Sequence, residues 1–187
     1  LGALHVILWK LADGEAYKGV GIRQGDVLGA AYGPADIKFG IVVYRIDGGT
    51  LTGVWADSRD LKSELGKETL EGSADLNGTY KITLGQNRDG MTNYGGQVAI
   101  KRSGDTYILV WPTKPPAIGV GVRLKNLLVV AYGGNPKKLP GVVAYQSTGE
   151  GALSGIWAAA GVSQTGGNNF NITTSPKVGR EDLKRVP

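Results

Sequence analysis

Four tryptophans, two tyrosines and two arginines are the side chains of this sequence best suited to hold a ligand. Trp9, Trp55, Trp111 and Trp157 offer broad apolar faces with an N–H at one edge, and Tyr44 and Tyr145 add rings that end in a hydroxyl. Arg23 and Arg123 carry guanidinium forks, whose geometry matches carboxylates and phosphates. Such groups could form a shallow aromatic slot for a flat ligand or sugar ring, with an anion-recognising cation at its mouth. That chemistry is binding. Catalysis lacks material: there is no Cys, and the single histidine, His5, lies in the apolar run HVILW and reads as structural. The acids, among them Asp57 with Asp60 and Glu68 with Glu71, read as solvated surface rather than as a pair flanking a bond. The G-x-G stretches lack the third glycine and the helix of a dinucleotide fingerprint. No catalytic residue, metal ligand or cofactor is assigned, and the expectation is a protein that is not an enzyme.

Every candidate occurs twice. GVGIRQGDVLGAAYG (19–33) lies over GVGVRLKNLLVVAYG (119–133) without a gap, and GIVVYRIDGGTLTGVWA (40–56) matches GVVAYQSTGEGALSGIWA (141–158) with one extra residue in the later copy. The duplication pairs Trp9 with Trp111, Trp55 with Trp157, Tyr32 with Tyr132, Tyr44 with Tyr145 and Arg23 with Arg123. Two copies that keep the same large side chains reveal a constraint inside one chain, and two readings of it stand open. In the first, the aromatics are core. A hairpin joining TYILVW to IGVGVRL through PTKPPA sets Trp111 to face Gly119, Leu109 to face Gly121 and, in the earlier copy, Trp9 to face Gly19, each indole filling the space of a missing side chain. Val20, Ile22, Val120 and Val122 then take the opposite face, and the arginines bond a turn or a carboxylate. In the second, the glycines, tryptophans and arginines line the slot.

Short segments of period two separated by turn residues predict an all-β fold. In the later copy they fall at 78–84, 95–102, 106–111, 118–124, 127–132, 141–146, 152–158 and 168–174, with NRDG, RSGD, GGNPKK and TGEG among the connectors. Eight such strands close most simply into an up-and-down barrel over residues 76–175, because closure removes exposed edges. The earlier copy, residues 1–75, has HVILW in the place of YILVW, so two opening strands have no counterpart in it, and KETLEG stands in for NNFNITT. The charged stretch 57–77 reads as a linker, with a helical turn at LKSEL, and the tail 176–187 as a short helix at GREDLKR. HVILW is too apolar for an open edge, so a strand from the later copy, from the NNFNITT region or from another molecule should cover it, completion within the chain being preferred.

The 31 glycines follow no G-X-Y period and suit turns and close backbone approach. No apolar run is long enough to span a bilayer as a helix. Residues 1–75 carry 8 basic and 11 acidic side chains, net −3, and residues 76–187 carry 13 and 5, net +8, so the copies should attract one another, within the chain or head to tail between chains. The basic residues form no dense stripe with interleaved aromatics, which argues against nucleic acid. The partner expected is a small ligand or a protein, with self-association as a further possibility. LLVVAY and GVVAY place apolar groups on both faces of their strands; one face can line a barrel, and the other must be covered by the second copy or another subunit.

GTYKITL followed by GGQVAIKRSGDTYILVW and a glycine-rich strand resembles the small exported bacterial β-barrels of the broad lipocalin and avidin type. The resemblance implies an extracytoplasmic ligand-binding barrel, in the periplasm or outside the cell, and LGALHVILWK then reads as a start from which a signal peptide has been removed; the lack of Cys fixes no compartment. No functional residue is carried over from that group.

Overall fold

The computed structural model describes residues 3–11, 13–33, 36–61, 64–149, 151–159 and 176–183. These form fourteen antiparallel strands: β1 (Ala3–Lys10), β2 (Ala16–Gln24), β3 (Val27–Gly33), β4 (Phe39–Asp47), β5 (Thr50–Asp57), β6 (Gly66–Glu71), β7 (Gly78–Gln86), β8 (Gly96–Ser103), β9 (Thr106–Trp111), β10 (Ala117–Leu124), β11 (Leu127–Gly133), β12 (Gly141–Gly149), β13 (Ala152–Ala159) and β14 (Lys177–Leu183). The chain is all-β, as the period-two pattern requires. The expected strand at 168–174 and helical turn at LKSEL lie outside the described residues, wholly or in part. The tail expected to be helical is a strand over its described part, β14, because alternate residues pack inward beside β13.

The two sheets are not the two copies. Strands β4 to β11, residues 39–133, form a closed eight-stranded barrel in up-and-down order, sealed where β11 pairs with β4. The remaining strands form an open sheet ordered β1-β2-β3-β12-β13-β14. The barrel is therefore not closed by the later copy over 76–175. Each copy leaves its sheet at the same joint, after Gly33 and after Gly133, so that β3 pairs with β12 of the other copy and β11 with β4. The exchange gives two equivalent six-stranded units, β9-β10-β11-β4-β5-β6 and β1-β2-β3-β12-β13-β14. In the barrel β7 and β8 bridge the outer strands of the first unit. Among the described residues no strand bridges β14 to β1 and HVILW is paired with β2; the NNFNITT segment named as one possible cover lies outside the described residues.

Burial on both faces explains the nearly continuous apolar strands. Leu127, Val129 and Ala131 of β11 and Ile41 and Val43 of β4 face the open sheet, where they meet Val20, Ile22, Ala31, Val142 and Ala144. The alternate residues Leu128, Val130, Val42 and Tyr44 point into the barrel and join Leu51, Leu70, Tyr80, Ile100 and Leu109, so much of the interior is packed. The sheets approach closely at Gly29: a Cβ there would lie 2.7 Å from Val129 and 2.9 Å from Val43. The open sheet, with strands from both copies, thus covers the outer apolar face of LLVVAY. Across the charge boundary, Lys125 pairs with Asp26 at 2.5 Å and Lys138 with Asp36 at 2.7 Å. Each lysine holds its carboxyl below the usual carboxylate range by hydrogen bonding.

A candidate binding site at one mouth of the barrel

The barrel interior is not filled to the end where β5, β9 and β11 finish. A cavity of about 320 Å³ remains there, walled by Tyr44, Trp55, Tyr94, Trp111 and Tyr132, with Glu68 among them and Lys38, Asp57, Asn87 and Thr113 also on the lining. The rings reach this space because a glycine lies beneath each of several of them. A Cβ at Gly66 would collide with the Trp55 indole, at Gly40 with the Tyr132 ring and at Gly53 with the Tyr44 ring. Trp111 lies over Gly119, where a Cβ would sit 3.0 Å from the ring. The ladder corrects the expected register: Trp111 is paired with Ala117 and Leu109 with Gly119, and Trp9 with Tyr17, so each indole covers its glycine diagonally rather than directly across.

Glu68 on β6 is 3% exposed. The Tyr44 hydroxyl donates to its Oε1, and Trp111 Nε1 donates to the same oxygen at 3.3 Å. Burial raises the Glu68 carboxyl above its ordinary range, although hydrogen bonds from Tyr44, Trp111 and Tyr94 act in the opposite direction. Desolvation, with the Glu68 charge next in order, pushes Tyr44 and Tyr94 up; it also raises Tyr132, beside Asp57 and Glu68. These phenols are therefore donors and walls rather than bases. The backbone of Tyr94 is tied to β7 by its N–H to Gly85 O at 2.9 Å. Its ring meets Trp55 edge to face, with centroids 6.5 Å apart, and Trp111 and Tyr132 lie 5.8 Å apart. Trp55 Nε1 is buried and turned toward the Tyr94 hydroxyl without attaining hydrogen-bond geometry. Near the mouth Lys38 lies 3.9 Å from Asp57, and Arg88 directs its guanidinium to the carbonyls of Asp60 and Glu64.

The open sheet repeats the set. Trp9 lies over Gly19, Tyr145 over Gly155, Trp157 over Gly179 and Tyr32 over Gly141. Trp9 and Tyr32 are 5.6 Å apart at an interplanar angle of 56°, close to the 5.8 Å and 54° of Trp111 and Tyr132. Tyr145 donates its hydroxyl to Glu181 Oε1 at 2.5 Å, as Tyr44 does to Glu68. One link is shifted: Trp9 Nε1 donates to the Tyr145 hydroxyl at 2.8 Å instead of reaching the carboxylate. This phenol, on a central strand, joins groups from both edges, so the open sheet is curled.

Of the residues singled out in the sequence, Tyr44, Trp55 and Trp111 therefore meet around the cavity, and Trp9, Tyr145 and Trp157 meet on the open sheet. Arg23 and Arg123 join neither group: each donates its Nε to the carbonyl two residues on, Gly25 O and Lys125 O, both at 3.1 Å. Arg102 does the same to Gly104, which marks this as a local clamp on a tight hairpin. His5 Nε2 is buried without a hydrogen-bond partner among the described residues. Sequence reasoning missed the carboxylates. GKETL (66–70) and GREDL (179–183) carry Glu68 and Glu181 at equivalent places, a match hidden by setting KETLEG against NNFNITT. No group of His, Cys, Asp and Glu able to hold a metal occurs among the described residues. No described helix is long and apolar enough to cross a membrane. Compared with protein families, with curated proteins and with solved structures, the chain shows no match.

Proposed function

We propose that the protein is a non-catalytic binding barrel that takes a small ligand into the cavity over Glu68. The observation that carries this reading is a carboxylate buried among aromatic walls at an open barrel end, in a space whose volume lies at the small end of the usual range for ligand sites, about 300–1,000 Å³. The non-catalytic part is supported by the roles of the lining groups: Glu68 accepts from phenol and indole, and burial pushes the phenols away from use as bases. Trp55 and Trp111 serve as reporters. Screening small molecules of both charges and none by tryptophan fluorescence should find saturable binders that lose affinity in Tyr132→Ala, a change at the wall that leaves Glu68 and its donors in place. If no compound of any charge binds, or if binders ignore the wall, the reading fails.

A second reading, association by strand completion, is favoured by the equivalence of the two six-stranded units. In the barrel β7 lies on β6 and β8 on β9; the corresponding edges, β14 and β1, have no such neighbours among the described residues. Val6 and Leu8 on β1 are 55% and 61% exposed. The occupant this gap fits is a two-stranded antiparallel segment with the inward pattern of β7 and β8, where Tyr80, Ile82, Val98 and Ile100 face the interior. A peptide spanning residues 77–105 should bind the intact chain and slow hydrogen exchange at alternate amides of β1 and β14. Unchanged exchange at both edges with peptide in excess, or edge-to-edge dimers of the chain itself, would contradict that occupant.

A further inference from the structure

We infer that the cavity selects a small organic cation, an ammonium or quaternary ammonium group carried by an apolar body. The inference rests on the binding reading above and names its ligand class. It begins with the composition of the walls: Tyr44, Trp55, Tyr94, Trp111 and Tyr132 surround a space whose innermost charged group is the Glu68 carboxylate. Ring faces are negative and ring edges positive, so a cavity walled by rings attracts cations. A carboxylate behind such walls supplies the compensating charge.

The other ligand classes fit less well. An anion would enter a site that already holds one carboxylate at its floor and a second, Asp57, on its lining. The two cations near the mouth have other partners: Lys38 is beside Asp57, and Arg88 faces the segment that carries Asp60 and Glu64. A neutral ligand would close over the Glu68 carboxylate and leave its charge uncompensated, whereas a cation pairs with it as water is expelled. The glycines bear on the same point, since those beneath Tyr44, Trp55 and Tyr132 leave the rings seated on backbone and turned to the cavity. The duplication supplies an independent observation. The open sheet keeps the same phenol–carboxylate pair, Tyr145 with Glu181, beside Trp9 and Trp157. Packing alone requires no acid in either place.

Choline and its uncharged carbon isostere 3,3-dimethylbutan-1-ol form the test, titrated into the full chain and followed by tryptophan fluorescence and calorimetry. Choline should bind at least about tenfold more tightly. In Glu68→Gln, which keeps the shape and an acceptor oxygen, that preference should shrink to a few-fold or vanish while affinity for the isostere is retained. A melting curve establishes that the variant is folded; if it is not, Trp111→Phe, which keeps an aromatic face and Glu68 but loses the indole N–H that donates to it, should weaken choline without abolishing its preference over the isostere. Equal binding of the two probes overturns the cation assignment and leaves the binding reading intact, as does a screen whose binders are all neutral or anionic. A cavity that takes no probe of any charge overturns both.

Discussion

Glu68 is the residue at which stability and function pull in opposite directions. Burial raises its carboxyl in the folded protein above the ordinary value of 4.5, so the folded state holds the proton more tightly than the unfolded chain. By linkage, stability is greatest where both states are protonated, and it falls as pH rises from the ordinary carboxylate range through the raised folded value. Glutamine does not titrate. Chemical denaturation of the native protein and of Glu68→Gln between pH 3.5 and 8 should therefore show the native protein losing stability relative to the variant across that window. Parallel curves would mean that the carboxylate is already compensated. Little of this was legible in the sequence, where Glu68 stands in a charged stretch and looks solvated. Only the fold shows that β6 carries alternate residues inward, and only the match to GREDL shows that the acid is kept twice.

At the scale of strands, the recurring device is an aromatic ring on one strand lying over a glycine on the next. It accounts for many of the 31 glycines and lets broad rings stand in a curved sheet without spreading it. The packing half of the sequence reading was legible because G-V-G and the tryptophans recur together; the diagonal offset was not, because register depends on how each turn is closed. Trp111→Ala, which empties a site in the barrel core, should cost about 3–5 kcal/mol by denaturant titration. Gly155→Ala should cost about 1–3 kcal/mol, since its Cβ would lie 2.6 Å from the Tyr145 ring and overpack the open sheet. A neutral Gly155→Ala would show that this ring has somewhere else to go.

For the whole molecule, pairing that crosses between the copies decides the architecture. The repeat was plain in the sequence, and so was the need to cover the outer face of LLVVAY. The exchange at Gly33 and Gly133 was not, because a β-strand that can pair with β4 can equally pair with its counterpart β12, and local pattern does not choose between them. The barrel is a meander of consecutive hairpins, whereas the open sheet needs β3 to find β12 more than a hundred residues away. Native-state hydrogen exchange should therefore show slow amides throughout β4–β11 and the fastest strand amides at β1 and β14, which have one neighbour each among the described residues. Equal protection at β1 and β5 would argue against this order.

That arrangement also has a mechanical side. The barrel lies in the middle of the chain, while β1 and β14 form, among the described residues, the two borders of one sheet. A pull applied at these two strands is carried across the hydrogen bonds of that sheet alone, from β1 through β3 and β12 to β14, and the barrel lies off the load path. Under tension the open sheet should yield first and lengthen the molecule, and the cavity over Glu68 should keep its shape until the chain leading into β4 is drawn taut.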